Sequence, residues 1–195
     1  MKKVLSSRIS WLFVLTLLLC SFPASLRPDP MPAVTGLTHK LQRALVGLPG
    51  YTIFDYVTFR IADDRVVLLG NVLHPEVKQE AEQAIRSIPG VNALDNYIDV
   101  LPRSEQDDAI RQKVYERLYG NPQFTWYAVQ LVPPVHIIVK NGHVTLEGLV
   151  NNPSDRFMAE NAACEAAGAS AVEDHLLAMS GDIGELSSLG LRMEQ

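Results

Sequence analysis

Three side chains in the second half of the sequence have the types that hold a metal: His136, Glu147 and His175. Two imidazoles and a carboxylate bind zinc when a fold gathers them and leaves a fourth position open. His136 and Glu147 fall opposite each other if residues 135–150 form a hairpin about Asn141-Gly142. His175 would then lie on the same face, one strand away. Polar pairs are commonplace on exposed sheet faces, however, and the matching positions earlier in the chain are Thr58, Leu69 and Tyr97. No metal and no cofactor is therefore expected. Hydrolysis and phosphoryl transfer fare no better. The chain has no G-x-S-x-G elbow, no phosphate loop, no nucleophile spaced from a base and no paired carboxylates in a cleft-like context. "GLPG" and "GNP" read as turns. The expectation is a protein without catalysis and without a small-molecule substrate.

A different chemistry is offered by Phe124, Trp126 and Tyr127, within "YGNPQFTWYAVQLVPP". Aromatic rings on a loop suit a bilayer interface or a protein partner, having both an apolar and a wet neighbour there. They equally suit the end of a small core that needs covering. Both roles stay open.

The elements that must position these groups come in two copies. Sliding the chain by 78 residues aligns 66–100 with 144–178 without a gap. Val66, Leu68, Gly70, Val72, Pro75, Ala81, Glu82, Ala84, Gly90 and Ala93 meet their identical counterparts, from Val144, Leu146 and Gly148 through Gly168 to Ala171. A fixed offset of this kind marks internal duplication. "VHIIVKNGHVTLEGLV" is two strands joined by Asn141-Gly142, a two-residue turn whose central residues need positive φ. That loop sets Val139 against Val144, Ile137 against Leu146 and Val135 against Gly148, all on one face. In the first copy Val57, Phe59 and Ile61 meet Val66, Leu68 and Gly70 around Asp63-Asp64.

A helix follows each hairpin, opened by His74-Pro75 or Asn152-Pro153. Its apolar stripe is Val77, Ala81, Ala84, Ile85 and Ile88 in copy one. In copy two the stripe is mostly alanine (Ala159, Ala162, Ala163, Ala166), so that helix should lie close to its sheet. Pro89-Gly90 ends the first of these helices, and a third strand over 91–101 puts Leu94, Ile98 and Val100 inward. A further helix precedes each hairpin, with Leu37, Leu41, Ala44, Leu45 and Leu48 on its inner face in copy one. Ile110, Val114 and Leu118 take that place in copy two, after a cap at Ser104 with Asp107 three residues on. The predicted fold class is α+β. It comprises two tandem αββαβ units, each a two-layer sandwich of two helices on a three-stranded mixed sheet, over 35–101 and 106–179. "PRSEQDD" (102–108) is read as the linker and 180–195 as a loose tail. Five extra residues between helix and hairpin in copy two fall in the aromatic segment.

With both helices on one side, the other side of each sheet is open. In copy one that face carries Tyr56, Thr58, Arg60, Val67, Leu69 and Tyr97. Val67 and Leu69 are apolar where copy two has Thr145 and Glu147, so they mark a contact surface, for the other copy or for a second molecule in a homodimer.

The N-terminus stands apart. Lys2, Lys3 and Arg8 precede an apolar run from Ile9 to Phe22, which has the length of a signal-peptide core and is short for a membrane span. Residues 1–24 are expected to direct export, with cleavage near Ala24 or retention as an N-terminal anchor. Cys20 follows a leucine where a lipobox wants a small residue, which argues against lipidation. Without residues 1–24 the chain carries 14 Lys+Arg against 22 Asp+Glu, a net charge of −8. Such a surface repels nucleic acid and anionic headgroups at long range. Membrane attraction would need a local patch. Cys164 is then the one thiol left, so no internal disulfide forms. It is buried, half-buried or a handle for pairing between chains.

A helix–strand–strand–helix–strand unit with V-x-L-x-G-x-V, an alanine-rich helix and a G-V-x-x-(V/L)-x-(N/D) segment resembles the BON domain, named for bacterial OsmY and nodulation proteins. Copy one matches through "RVVLLGNV", "KQEAEQAI" and "PGVNALDNYIDV". Copy two departs at "GASAVEDHLLAM", which lacks the apolar residue after glycine and has Asp174 in the asparagine position. A weaker or irregular last strand is expected there. The resemblance implies an exported, periplasmic, non-enzymatic module. It further implies association with phospholipid membranes, envelope maintenance and stress, or with larger envelope assemblies. It assigns no ligand site to individual residues.

Overall fold

The computed structural model describes residues 32–62, 65–130, 133–168 and 171–180. Residues 1–24, read above as an export signal and containing Cys20, lie outside them, as do the Asp63-Asp64 pair and residues 181–195, read as a loose tail. Two three-stranded sheets carry the architecture. In the first repeat, α1 (Pro32–Val46) precedes β1 (Tyr56–Ala62), β2 (Arg65–Val72), α2 (Pro75–Arg86) and β3 (Ala93–Val100). In the second, α3 (Glu105–Tyr119) and a short α4 (Thr125–Ala128) precede β4 (Val135–Lys140), β5 (His143–Val150), α5 (Pro153–Ala167) and β6 (Val172–Ala178). Each sheet joins an antiparallel hairpin to a parallel third strand that returns through a helix.

The hairpin registers follow from the turn. Asn141 and Gly142 take φ of 53° and 81°, and Val139 meets Val144, Ile137 meets Leu146 and Val135 meets Gly148. Ile137 and Leu146 are fully buried, each worth about 1.5–3 kcal/mol of transfer free energy. The first repeat has the same pairs, Phe59 with Leu68 and Ile61 with Val66. The shared glycine has a steric cause. Gly70 and Gly148 adopt φ of 126° and 120°, and a Cβ there would stand 2.0 Å from the Tyr56 carbonyl oxygen or 1.9 Å from that of Pro134. Only glycine fits so close to the neighbouring strand.

Caps fix the helix starts. Asn152 accepts the Asp155 N–H at 2.9 Å and Ser104 accepts that of Asp107 at 3.2 Å, whereas His74 makes no side-chain cap. Because α3 begins at Glu105, the linker is only Pro102–Ser104. The rest of the segment read as linker is already the first helical turn. Gly90 and Gly168 follow their helices with positive φ.

The last strand of the second repeat is regular, against expectation. β6 pairs with β5 over seven residues, from Val172 to Ala178. In repeat one, Asn96 accepts the Ile98 N–H at 3.1 Å and donates to Glu82 and the Lys78 carbonyl on α2. Asp174 accepts the Leu176 N–H at 2.9 Å in the same way and replaces the lost donor by accepting from Arg156 of α5 at 2.7 Å. The substitution changes the partner and keeps the tie between strand and helix.

Candidate functional site

The two repeats meet through the segment between α1 and β1. Ile53 and Phe54 pack against the core of the second repeat, Phe54 meeting the Tyr115 ring at 6.3 Å. The Ile53 carbonyl accepts the Ile137 N–H at 2.8 Å. Asp55, fully buried, shapes this segment by accepting from Thr52 N–H and Oγ1 and from Leu73 N–H at 2.7–2.8 Å. The outer edge of β4 is thus closed one group at a time. Tyr119 donates to the Val135 carbonyl at 2.7 Å and Arg111 to the Val139 carbonyl at 2.6 Å, either side of the Ile137–Ile53 bond. Edge strands left bare invite pairing with other chains, and this one is not bare.

The open faces meet at the same place. His136 sits between the Tyr51 and Tyr56 rings at 5.6 and 5.5 Å, and Lys140 reaches Asp99 at 2.5 Å. Tyr56 and Asp99 both lie beside Asn71 in register, so β4 crosses the strands of the first sheet instead of running along them. His136 and Ile138 are buried beneath that crossing, at 7% and 4% exposure. Sequence reasoning placed His136 on the outer face correctly, but nothing local marked that face as covered here. Burial depresses its pKa from 6.5 to about 4, with backbone groups of Asp55 and Thr52 opposing. Its Nδ1 is buried and has no hydrogen-bond partner among the described residues. Glu147 and His175 fall in register beside it and pair with each other at 2.9 Å. That hydrogen bond raises the His175 pKa, while burial raises that of Glu147. Among the described residues no three His, Cys, Asp or Glu side chains converge to hold a metal.

The aromatic segment divides. Phe124 and Tyr127 are buried in the second core, 5.2 Å apart. The Tyr127 hydroxyl donates to Asp155 at 2.6 Å and accepts the Asn151 N–H at 2.8 Å, and burial followed by that acid pushes its pKa up to about 12. These two rings are therefore not available as contacts; they fill the end of the core. Trp126 is 69% exposed and Val129 71%. They stand on a stretch, 120–134, without a single charged residue. On repeat one Tyr97 is 66% exposed, beside the half-buried Val67 and Leu69. Cys164 is half-buried and free, its pKa raised chiefly by burial. No helix among the described residues is long and apolar enough to cross a membrane.

The BON domain family model matches residues 37–102 and again 106–178. No curated protein sequence matches the chain. Among solved structures there is similarity to the C-terminal domain of CdsD, described as the structural protein of the type III secretion system of Chlamydia trachomatis. It is 16% identical, over 84% of this chain and 74% of that one, with a TM-score of 0.29. A second CdsD structure is 16% identical over 82% and 100%, with a TM-score of 0.27.

Proposed function

The chain belongs to the BON domain family, in two tandem copies, and from that premise we propose that it is a non-enzymatic, exported binding module of the cell envelope that touches phospholipid through the tip bearing Trp126. The observation carrying this reading is the pair Trp126 and Val129, exposed three residues apart on an uncharged segment whose other rings, Phe124 and Tyr127, are anchored in the core. Anchoring keeps the cost of ordering small when the tip enters an interface. The net charge of −8 outside the export segment opposes attraction to anionic headgroups, so contact rests on the aromatic and apolar surface.

Burying about half of an indole, roughly 100 Å², stabilises the bound state by about 2 kcal/mol. Co-sedimentation with phospholipid vesicles is expected for the natural chain, and Trp126→Ala should reduce the partition coefficient more than tenfold. Absence of binding by both proteins would remove the lipid reading and leave the second one. That second reading, docking to another envelope protein, is favoured by Tyr97, Val67 and Leu69 on the uncovered part of the first sheet.

A further inference from the structure

The edge of the first sheet lacks the closure found on the second. In a hairpin, alternate residues of the outer strand turn their N–H and C=O groups away from the partner strand. On β4 those residues are Val135, Ile137 and Val139, whose groups end on Tyr119, Ile53 and Arg111. The matching residues of β1 are Val57, Phe59 and Ile61. Val46, without a hydroxyl, stands where α3 has Tyr119, and the Tyr51 hydroxyl accepts only the Val57 N–H, at 3.2 Å. Among the described residues the outward groups of Phe59 and Ile61 and the Val57 carbonyl have no partner. The side chains show the same gap. Ile137 and Val139 are fully buried, whereas Phe59 and Ile61 are only half-buried. A bare edge of this kind is a template for one more strand.

The surroundings of that edge narrow the occupant. The stretch from Tyr56 to Phe59 opens on a cleft of about 340 Å³, whose other walls include Leu45 and Val46 of α1 and Leu149 and Leu177 of the second sheet. So small a space suits one extended segment better than the edge of a second folded domain. The chain itself supplies such a segment. Met179 and Ser180 bond the Val150 and Asn151 carbonyls, so residues 181–195 depart from a point only three residues beyond Leu177, a wall of the cleft. Residues 181–188 can span about 28 Å when extended. Beyond them Leu189, Leu191 and Met193 alternate with Gly190 and Arg192, the period of a strand with one apolar face. With the apolar three set beside Phe59 and Ile61, Arg192 turns to the opposite face, where Tyr56 feels the charge of Glu147. That half-buried acid has His175 as its one hydrogen-bond partner among the described residues, and a guanidinium complements it. We propose that residues 189–193 add a fourth strand to the first sheet along β1, closing both its edge and the cleft. This pairing goes beyond the lipid contact at Trp126 and does not depend on it.

The test is amide hydrogen exchange of the full chain, with Leu191→Asp and a chain ending at Ser180 as comparisons. The Phe59 and Ile61 amides are expected to exchange at least about a hundredfold more slowly in the full chain than in either comparison. The Ile137 amide, sealed by Ile53, should stay slow in all three and reports that the fold persists. A peptide of residues 181–195 added to the shortened chain should restore slow exchange saturably, and the same peptide with Leu191→Asp should not. Trp126→Ala should leave the Phe59 and Ile61 amides unchanged, and vesicle binding should survive Leu191→Asp, so the two readings fail separately. Three results would overturn the proposal. They are fast exchange of both amides in the full chain, indifference of both to Leu191→Asp, or protection that grows with protein concentration, as a second copy on this edge would give.

Discussion

Gly70 and Gly148 are the positions where one methyl group would be felt most. Gly148→Ala would force a Cβ to within 1.9 Å of the Pro134 carbonyl oxygen at a φ that L side chains avoid. A loss of about 3 kcal/mol or more is expected from urea denaturation. Gly142→Ala, also at positive φ but with open space around it, should cost only about 1 kcal/mol. The V-x-L-x-G pattern exposed these glycines in the sequence, but not their cause, since the clashing carbonyl lies on the partner strand. His136 makes a prediction of another kind. Its ring takes up a proton near 6.5 when unfolded and only at about 4 when folded. Between those values the unfolded state binds more protons, so stability falls as pH drops through this window and is unaffected above it. The full effect is about 3 kcal/mol. Glu147 and His175, which face it, have raised pKa values and act in the opposite sense, weakly for the exposed His175. Denaturation midpoints at pH 7 and pH 4.5 should therefore diverge for the natural chain and converge in His136→Phe.

Among the elements, the second hairpin is held from outside as well as by its own turn. Asp107, in the first turn of α3 and almost fully buried, accepts the N–H groups of Asn141 and Gly142 at 2.9 and 2.8 Å. Asp107→Ala would leave both donors without that partner and should cost about 2–3 kcal/mol. Faster hydrogen exchange at those two amides, ahead of the rest of β4 and β5, is the measurement that checks it. Much of this level was legible. Hairpin register, helix caps and apolar stripes depend on residues a few positions apart, and Asn141-Gly142 or Ser104 with Asp107 announce themselves. The closure of β4 was not, because Ile53 comes from the segment before β1 while Arg111 and Tyr119 come from α3, far from it in sequence and without a shared local pattern. The division of the aromatic segment was hidden for the same reason. Phe124, Trp126 and Tyr127 look alike in sequence, and only Asp155 and Asn151, far along the chain, draw Tyr127 inward.

At the scale of the whole molecule, duplication yields more than two equal halves. The segment between α1 and β1 in repeat one is consumed in sealing repeat two, through Ile53, Phe54 and Tyr51. In the second repeat a longer segment folds back over its own core through Phe124 and Tyr127 and puts Trp126 outside. The copies thereby differ in what they can offer: one a partly open sheet with Tyr97, the other an uncharged tip. The drop in the repeat offset marked the longer segment of the second repeat, but nothing in the repeat showed the crossing of β4 over the first sheet. The two repeats form one body at that crossing. Hydrogen exchange at the Ile137 amide reads it directly, because its N–H leaves the second sheet and ends on the Ile53 carbonyl. The prediction is exchange as slow as that of the buried Leu146 amide, released only by global unfolding. Exchange at the rate of an uncovered edge strand, orders of magnitude faster, would contradict it.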